Sequence, residues 1–137
     1  MNVRPATIND LQQCEQLAQD PMLEFPSGGY PDKSYLEKYI DDTYFLVAED
    51  DNRVVGFILG EPLKDNGTGL WFLIVHENYR RKGFAKKLLE EFFSRAKSHE
   101  RKWIFLTAHI HNEAALNFYR QMGFVQGKPH FEMAKSL

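Results

Sequence analysis

The order of apolar and polar positions divides the chain into helical and strand-like segments. Behind Thr7 and Asp10, a pair that resembles a helix N-cap, Ile8, Leu11, Cys14, Leu17 and Ala18 recur at spacings of three and four, which predicts an amphipathic helix. Residues 21–31 shift to Pro, Gly and Ser, a loop before a short helix carrying Tyr35, Leu36, Tyr39 and Ile40. Residues 44–48 and 54–59, rich in β-branched and aromatic side chains, flank Glu49-Asp50-Asp51-Asn52-Arg53 and predict a hairpin with a five-residue connection. The turn Asp65-Asn66-Gly67 leads into a strand over 70–75, so three sequential antiparallel strands are expected. Apolar residues at 84, 85, 88, 89, 92, 93 and 96 mark a helix over 83–98. A strand over 103–108 and a helix over 113–122, stopped by Gly123, follow, and residues 124–137 hold two short strands at most.

These segments contain no repeat and no linker, and 137 residues suit one domain, so the pattern predicts a single α/β domain over 1–137 with a mixed sheet. Hydrophobic residues at 43% and aromatics at 14% supply a core and exclude a disordered tail. Seventeen Lys and Arg against nineteen Asp and Glu argue against a general nucleic-acid or membrane-surface binder. No apolar run approaches the roughly 20 residues that span a bilayer. Cys14 has no partner for an internal disulfide and the Met1 end lacks a signal-peptide pattern, so the reducing cytoplasm is expected. Its place on an apolar stripe makes Cys14 a packed thiol, not a nucleophile.

The near-neutral total conceals a basic run. Arg80, Arg81, Lys82, Lys86 and Lys87 place five cations in eight residues between a strand and a helix, around Gly83-Phe84-Ala85. A helix N-terminus offers unpaired backbone N–H groups and the positive end of the dipole, and Gly83 and Ala85 lack the bulk that would keep a pyrophosphate away. A solvated basic turn has the same composition, so a second segment must decide.

That segment is Asn112-Glu113-Ala114-Ala115-Leu116-Asn117-Phe118-Tyr119, followed by Gly123-Phe124, where Asn112 comes after a strand and opens a helix. Arg80-x-x-Gly83-x-Ala85 and Asn112-x-x-Ala115-x-x-x-Tyr119, in this order and spacing, resemble the GNAT superfamily of acetyl-CoA-dependent N-acetyltransferases. Val3-Arg4-Pro5-Ala6-Thr7 resembles its first strand and residues 132–137 its last. The resemblance implies a central mixed, mostly antiparallel sheet of six to seven strands flanked by about four helices. It also implies acetyl-CoA as co-substrate, with Arg80, Arg81, Lys82, Gly83, Phe84, Ala85 and Lys86 around its pyrophosphate. Leu73, Ile74 and Val75 would pair with the pantetheine arm, and the Leu73 amide would polarise the thioester carbonyl. Asn112 would hydrogen-bond the pantetheine, Phe118 joins the cofactor-binding set, and Tyr119 aligns with the general acid that protonates the departing thiolate.

The chain departs from this pattern in places. Glu77 stands where many relatives carry Pro, and the positions that often supply a glutamate base are Gly69 and Leu106. Glu61, His109 and His111, or water alone, are the remaining candidates for the base. His109-x-His111 lacks a third ligand, so no metal site is expected.

Between residues 24 and 61, nine acidic residues (24, 32, 37, 41, 42, 49, 50, 51, 61) outnumber three basic ones (33, 38, 53). An acidic rim there would attract a cationic amine such as a polyamine, an aminoglycoside, a lysine side chain or a protein N-terminus. Phe25, Tyr30, Tyr35 and Tyr39 either line an apolar wall beside it or belong to the core. The fourteen residues after Gly123 are few for the family's two strands and acceptor cover, so an open acceptor side is expected. That favours a bulky amine, or a homodimer whose second copy completes the wall. Three readings follow: an acetyltransferase acting by direct attack in a ternary complex, a non-catalytic acyl-CoA sensor, and a nucleotide-phosphate binder sharing only the helix-terminus chemistry, which would leave Asn112 to Phe124 unexplained.

Overall fold

Asp51 and Asn52 both adopt left-handed backbone, with φ of 49° and 60°, and close a two-residue hairpin between β2 (Phe45–Asp50) and β3 (Arg53–Pro62). This turn matches the twist of the strands it joins, and Asp and Asn tolerate its conformation. The connection is thus two residues, not the five expected, because both flanks pair to the turn. The computed structural model describes residues 1–41 and 43–137. Its sheet runs β1 (Asn2–Pro5), β2, β3, β4 (Gly67–Val75) and β5 (Trp103–Phe105), antiparallel except for the β4–β5 pair.

Helices cover both faces of the sheet. α1 (Leu11–Leu17) and α2 (Lys33–Glu37) bury Leu11, Cys14 and Leu36 against Phe45, Val47, Phe57 and Leu59. On the other side α3 (Phe84–Ser98) buries Phe84, Leu88, Leu89, Phe92 and Ala96 against Leu46, Ala48, Ile58 and Val75. α4 (Glu113–Gln121) lies on that face through Phe118 and Tyr119. A strand covered on both sides must be apolar at every position, and Phe45-Leu46-Val47-Ala48 is buried throughout.

The first helix begins as a 3-10 turn over Ile8–Asp10. The Asp10 carboxylate accepts from the Thr7 amide at 2.8 Å and from Arg4 at 2.7 and 2.9 Å, tying β1 to α1. Burial pushes the Asp10 carboxyl up, but the Arg4 guanidinium and the Thr7 amide more than reverse this and hold it below its ordinary value.

The sheet has five strands, where six to seven were expected. β5 pairs only from Trp103 to Phe105, opposite Gly67 to Gly69, and residues 106–108 leave the sheet. Among the described residues, 124–137 contain no strand, including the 132–137 segment expected to form the last one. The cause on the β4 side is a bulge: pairing steps from Leu59 with Phe72 to Gly60 with Leu70, leaving Trp71 as an extra residue. Gly60 permits this close approach, since a Cβ there would lie 2.2 Å from the Gly69 carbonyl oxygen. Beyond the bulge β4 bends away and β5 has nothing to pair with.

Candidate active site

The parting of β4 and β5 leaves a row of unpaired backbone groups. The His76 amide donates to Val55 of β3 at 2.8 Å, so along an extended strand Ile74 faces β3 while Leu73 and Val75 turn their N–H and C=O groups to the open side. The Val75 carbonyl is taken up by Arg80 Nε at 2.9 Å, and Arg80 also pairs with Asp20 at 3.6 Å. Arg80 therefore fixes the exit of β4, a role that its place in a basic run does not reveal. The Leu73 amide points into the opening, as an oxyanion donor requires.

Because β4 and β5 are parallel, their C-terminal ends share one end of the sheet, and each strand leads from there into the helix that follows it, α3 or α4. Crevices of this kind are the usual ligand sites of parallel strands. At α3, Gly83 is left-handed (φ 86°) and offers no side-chain cap, so the amides of Phe84, Ala85 and Lys86 have no partner within the helix. Arg81 is also left-handed (φ 61°), and Arg81, Lys82, Lys86 and Lys87 are exposed around these donors. Lys82 Nζ rests 5.5 Å from the Tyr79 ring and Lys86 is 3.9 Å from Glu90. The donor set and charge suit a pyrophosphate.

At α4, Asn112 Oδ1 accepts from the Ala115 amide at 3.2 Å, which caps the helix and leaves the amide nitrogen as a donor. Tyr119 packs between Phe118 and Phe124, with ring centroids 5.4 and 5.5 Å away. Burial pushes its phenol up to about 12, so it holds its proton throughout the physiological range. Leu73, Phe118 and Tyr119 pack against the same buried cluster, on the α3 and α4 side of the sheet.

The three base candidates differ in setting. Glu61 is paired with Gly69 across β3 and β4, and its Oε1 accepts from Trp71 Nε1 at 2.9 Å. A Cβ on Gly69 would lie 2.4 Å from the Trp71 ring, so the indole fills the space that a longer side chain would need there. Trp71 thus excludes a carboxylate from position 69 and holds one at the opposing residue. His109 and His111 lie beyond β5, exposed, with rings 5.3 Å apart and His109 Nδ1 accepting the His111 amide.

Phe25, Tyr35 and Tyr39 form an aromatic group with Phe72 of β4, with Phe25–Tyr35, Tyr35–Tyr39 and Tyr35–Phe72 centroids 5.4, 5.6 and 5.9 Å apart. They are partly buried against the α1 and α2 cluster, whereas Tyr30 lies in the preceding loop. Several of the nine acids have local partners: Asp32 caps α2, Glu49 binds Arg4, Asp50 pairs with the Met1 amine and Glu61 binds Trp71. Glu24, Glu37 and Asp41 are exposed, and Asp42 is outside the described residues. Cys14 is fully buried in the α1 face and burial pushes its thiol up to about 12, which fits an inert core thiol.

Known proteins share this fold. Residues 11–124 match the Acetyltransferase (GNAT) family. The N-alpha-acetyltransferase 30 of Saccharomyces cerevisiae is 39% identical over 137 residues, covering 93% of this chain and 78% of its own length. An SPbeta prophage-derived uncharacterized N-acetyltransferase of Bacillus subtilis is 28% identical over 87% of this chain and 70% of its own. In fold, the crystal structure of Ard1 from Thermoplasma volcanium superposes with a TM-score of 0.81 at 22% identity, covering 93% of this chain and 84% of that one. The cleft between β4 and β5, the uncapped α3 terminus and these matches agree: the chain belongs to the GNAT family of acetyltransferases, whose co-substrate is acetyl-CoA.

Proposed function

We propose that this protein transfers the acetyl group of acetyl-CoA to a primary amine by direct attack in a ternary complex. The observation that carries the reading is the open β4 edge, with the Leu73 amide turned into the same end of the sheet as the uncapped amides of α3. Phe84, Ala85 and Lys86 would bind the pyrophosphate, with Arg81 and Lys82 adding charge. Leu73, Ile74 and Val75 would run beside the pantetheine arm and Asn112 would hydrogen-bond it. The amine nitrogen bonds to the acetyl carbon while the Leu73 amide donates to the developing oxyanion. Glu61 takes the amine proton through water. As the carbon–sulfur bond breaks, Tyr119 gives its proton to the leaving thiolate, and an amide and free CoA result.

For the acceptor we favour an exposed polypeptide N-terminus over a lysine side chain or a small cationic amine. The similarity to an N-alpha-acetyltransferase supports this, and Glu24, Glu37 and Asp41 would draw a protonated amine toward the α2 side. The single Cys, buried as a thiol, suits the reducing cytoplasm. Among the described residues no helix is long and apolar enough to cross a membrane.

Calorimetry with acetyl-CoA, CoA and ATP, followed by thiol release on peptides with free N-termini, lysine-containing peptides with blocked termini and polyamines, tests the proposal. Binding of acetyl-CoA and CoA but not ATP, with turnover on free N-termini, is expected. Binding without thiol release on any amine would instead favour the acyl-CoA sensor, which the absent carboxylates at Gly69 and Leu106 admit.

A further inference from the structure

The bulge on β4 does more than bend the strand. Its extra residue, Trp71, packs against the buried cluster on the α1 and α2 side of the sheet. Gly60, which permits the bulge, is closed in on both sides: a Cβ there would collide with the Gly69 carbonyl oxygen and lie 2.7 Å from the Phe92 ring of α3, itself fully buried. The core on the α3 side thus fixes where the two strands lose register, and with it the place of the indole. Bulges commonly re-aim a side chain in this way.

The indole is aimed at a carboxylate. Glu61 stands opposite Gly69 and directly precedes Pro62, and a proline restricts the residue before it to extended backbone. Trp71 Nε1 donates to Glu61 Oε1 at 2.9 Å, with both side chains half-buried. An ionised carboxylate accepts about four hydrogen bonds. Among the described residues Glu61 has this one alone and enters no ion pair. Other acids of the sheet are taken up by cations, Asp10 and Glu49 by Arg4 and Asp50 by the Met1 amine. Glu61 is therefore held in direction but not neutralised, and its Oε2 is left without a protein partner.

We propose that Trp71 is a positioning residue for acetyl transfer: its N–H fixes one oxygen of Glu61 and leaves the other for the water that removes the acceptor's proton. This role presupposes the transfer proposed above, with Glu61 as the proton's destination. The water takes a proton from the attacking amine and gives one of its own to Oε2, so charge and atoms balance. The indole touches neither amine nor thioester. It acts by keeping the carboxylate in one rotamer, and a reacting group displaced by about 1 Å can lose about 10²-fold in rate.

Steady-state thiol release with a free N-terminal peptide, for the parent, Glu61→Gln, Trp71→Phe and the double variant, tests this. Trp71→Phe keeps a ring over Gly69 and removes the donor. It should lower kcat about 10–10²-fold, while the KM for acetyl-CoA and the circular dichroism stay as in the parent. In the Glu61→Gln background the same substitution should cost less than about twofold more, whereas a ring needed only for packing would cost as much there as in the parent. Glu61→Asp, whose shorter side chain draws the carboxylate away from the indole nitrogen, should lose about as much as Trp71→Phe and tests the same bond should the phenylalanine variant fold poorly. A parent silent on every amine would overturn the transfer itself, and a Glu61→Gln enzyme as fast as the parent would remove Glu61 as the base; either takes the role of Trp71 with it. If Glu61→Gln is slow, parental rates in Trp71→Phe or Glu61→Asp, or losses that add fully in the double variant, would overturn the positioning role alone.

Discussion

Tyr119 and Cys14 show how one physical cause has different chemical consequences. Burial pushes both groups up to about 12, which silences a thiol but keeps a phenol ready to donate. For Cys14 the consequence is resistance to alkylation: iodoacetamide at pH 8 should label the native chain far more slowly than the urea-unfolded one, as followed by mass spectrometry. For Tyr119 the sign runs through the unfolded state, where the phenol ionises near 10. Stability is unaffected below that pH and declines as pH rises toward 12, because the unfolded chain releases the proton first. Denaturant melts of Tyr119→Phe should show a shallower alkaline decline than the parent. Asp10 has the reverse sign, since its lowered carboxyl adds stability above its unfolded value near 4 that is lost as pH falls through the folded one. Asp10→Asn weakens the hold on Arg4, which is partly exposed and keeps Glu49 at 2.8 Å, and should cost about 1–2 kcal/mol at pH 7 in urea melts.

Among the elements, the loop from β4 into α3 joins structure to chemistry most closely. Gly83 must be left-handed to present the α3 amides, and no atom would meet a Cβ there, so a substitution suffers only from its backbone. Gly83→Ala should lose about 1–2 kcal/mol of stability and raise the KM for acetyl-CoA more than it lowers kcat, by steady-state kinetics. The helices and strands β2, β3 and β4 were legible because hydrophobic period and turn residues are local, whereas β1 came only from the family resemblance. The segment from Phe84 to Ser98 was readable from its apolar stripe alone. The bulge at Trp71 was not, because it depends on Gly60 meeting Gly69 across two strands, and neither glycine has a local signature. The same bulge explains both the early end of β5 and the pairing of Glu61 with Trp71. Arg80 was legible as a cation of a phosphate loop, but its bond to the Val75 carbonyl needed the open edge to be seen. The terminal strands expected over 124–137 did not form: alternation at 130–137 marks strand character, but pairing is decided by a partner distant in sequence, which no local pattern encodes.

For the whole molecule, a net charge of −2 separates into a basic end at α3 and exposed acids on the α2 side. Exposed cations are screened by salt, so the KM for acetyl-CoA should rise with ionic strength between low and physiological salt, as thiol-release kinetics would record. The proposed transfer turns on Tyr119, which packs on the α3 and α4 side with Leu73 and is kept protonated by burial. The decisive measurement is the rate of thiol release from acetyl-CoA with a free N-terminal peptide, for the parent and for Tyr119→Phe. The phenylalanine variant should bind acetyl-CoA as the parent does, by calorimetry, but turn over about 10²–10⁴-fold more slowly. Equal rates in the two proteins would contradict Tyr119 as the acid.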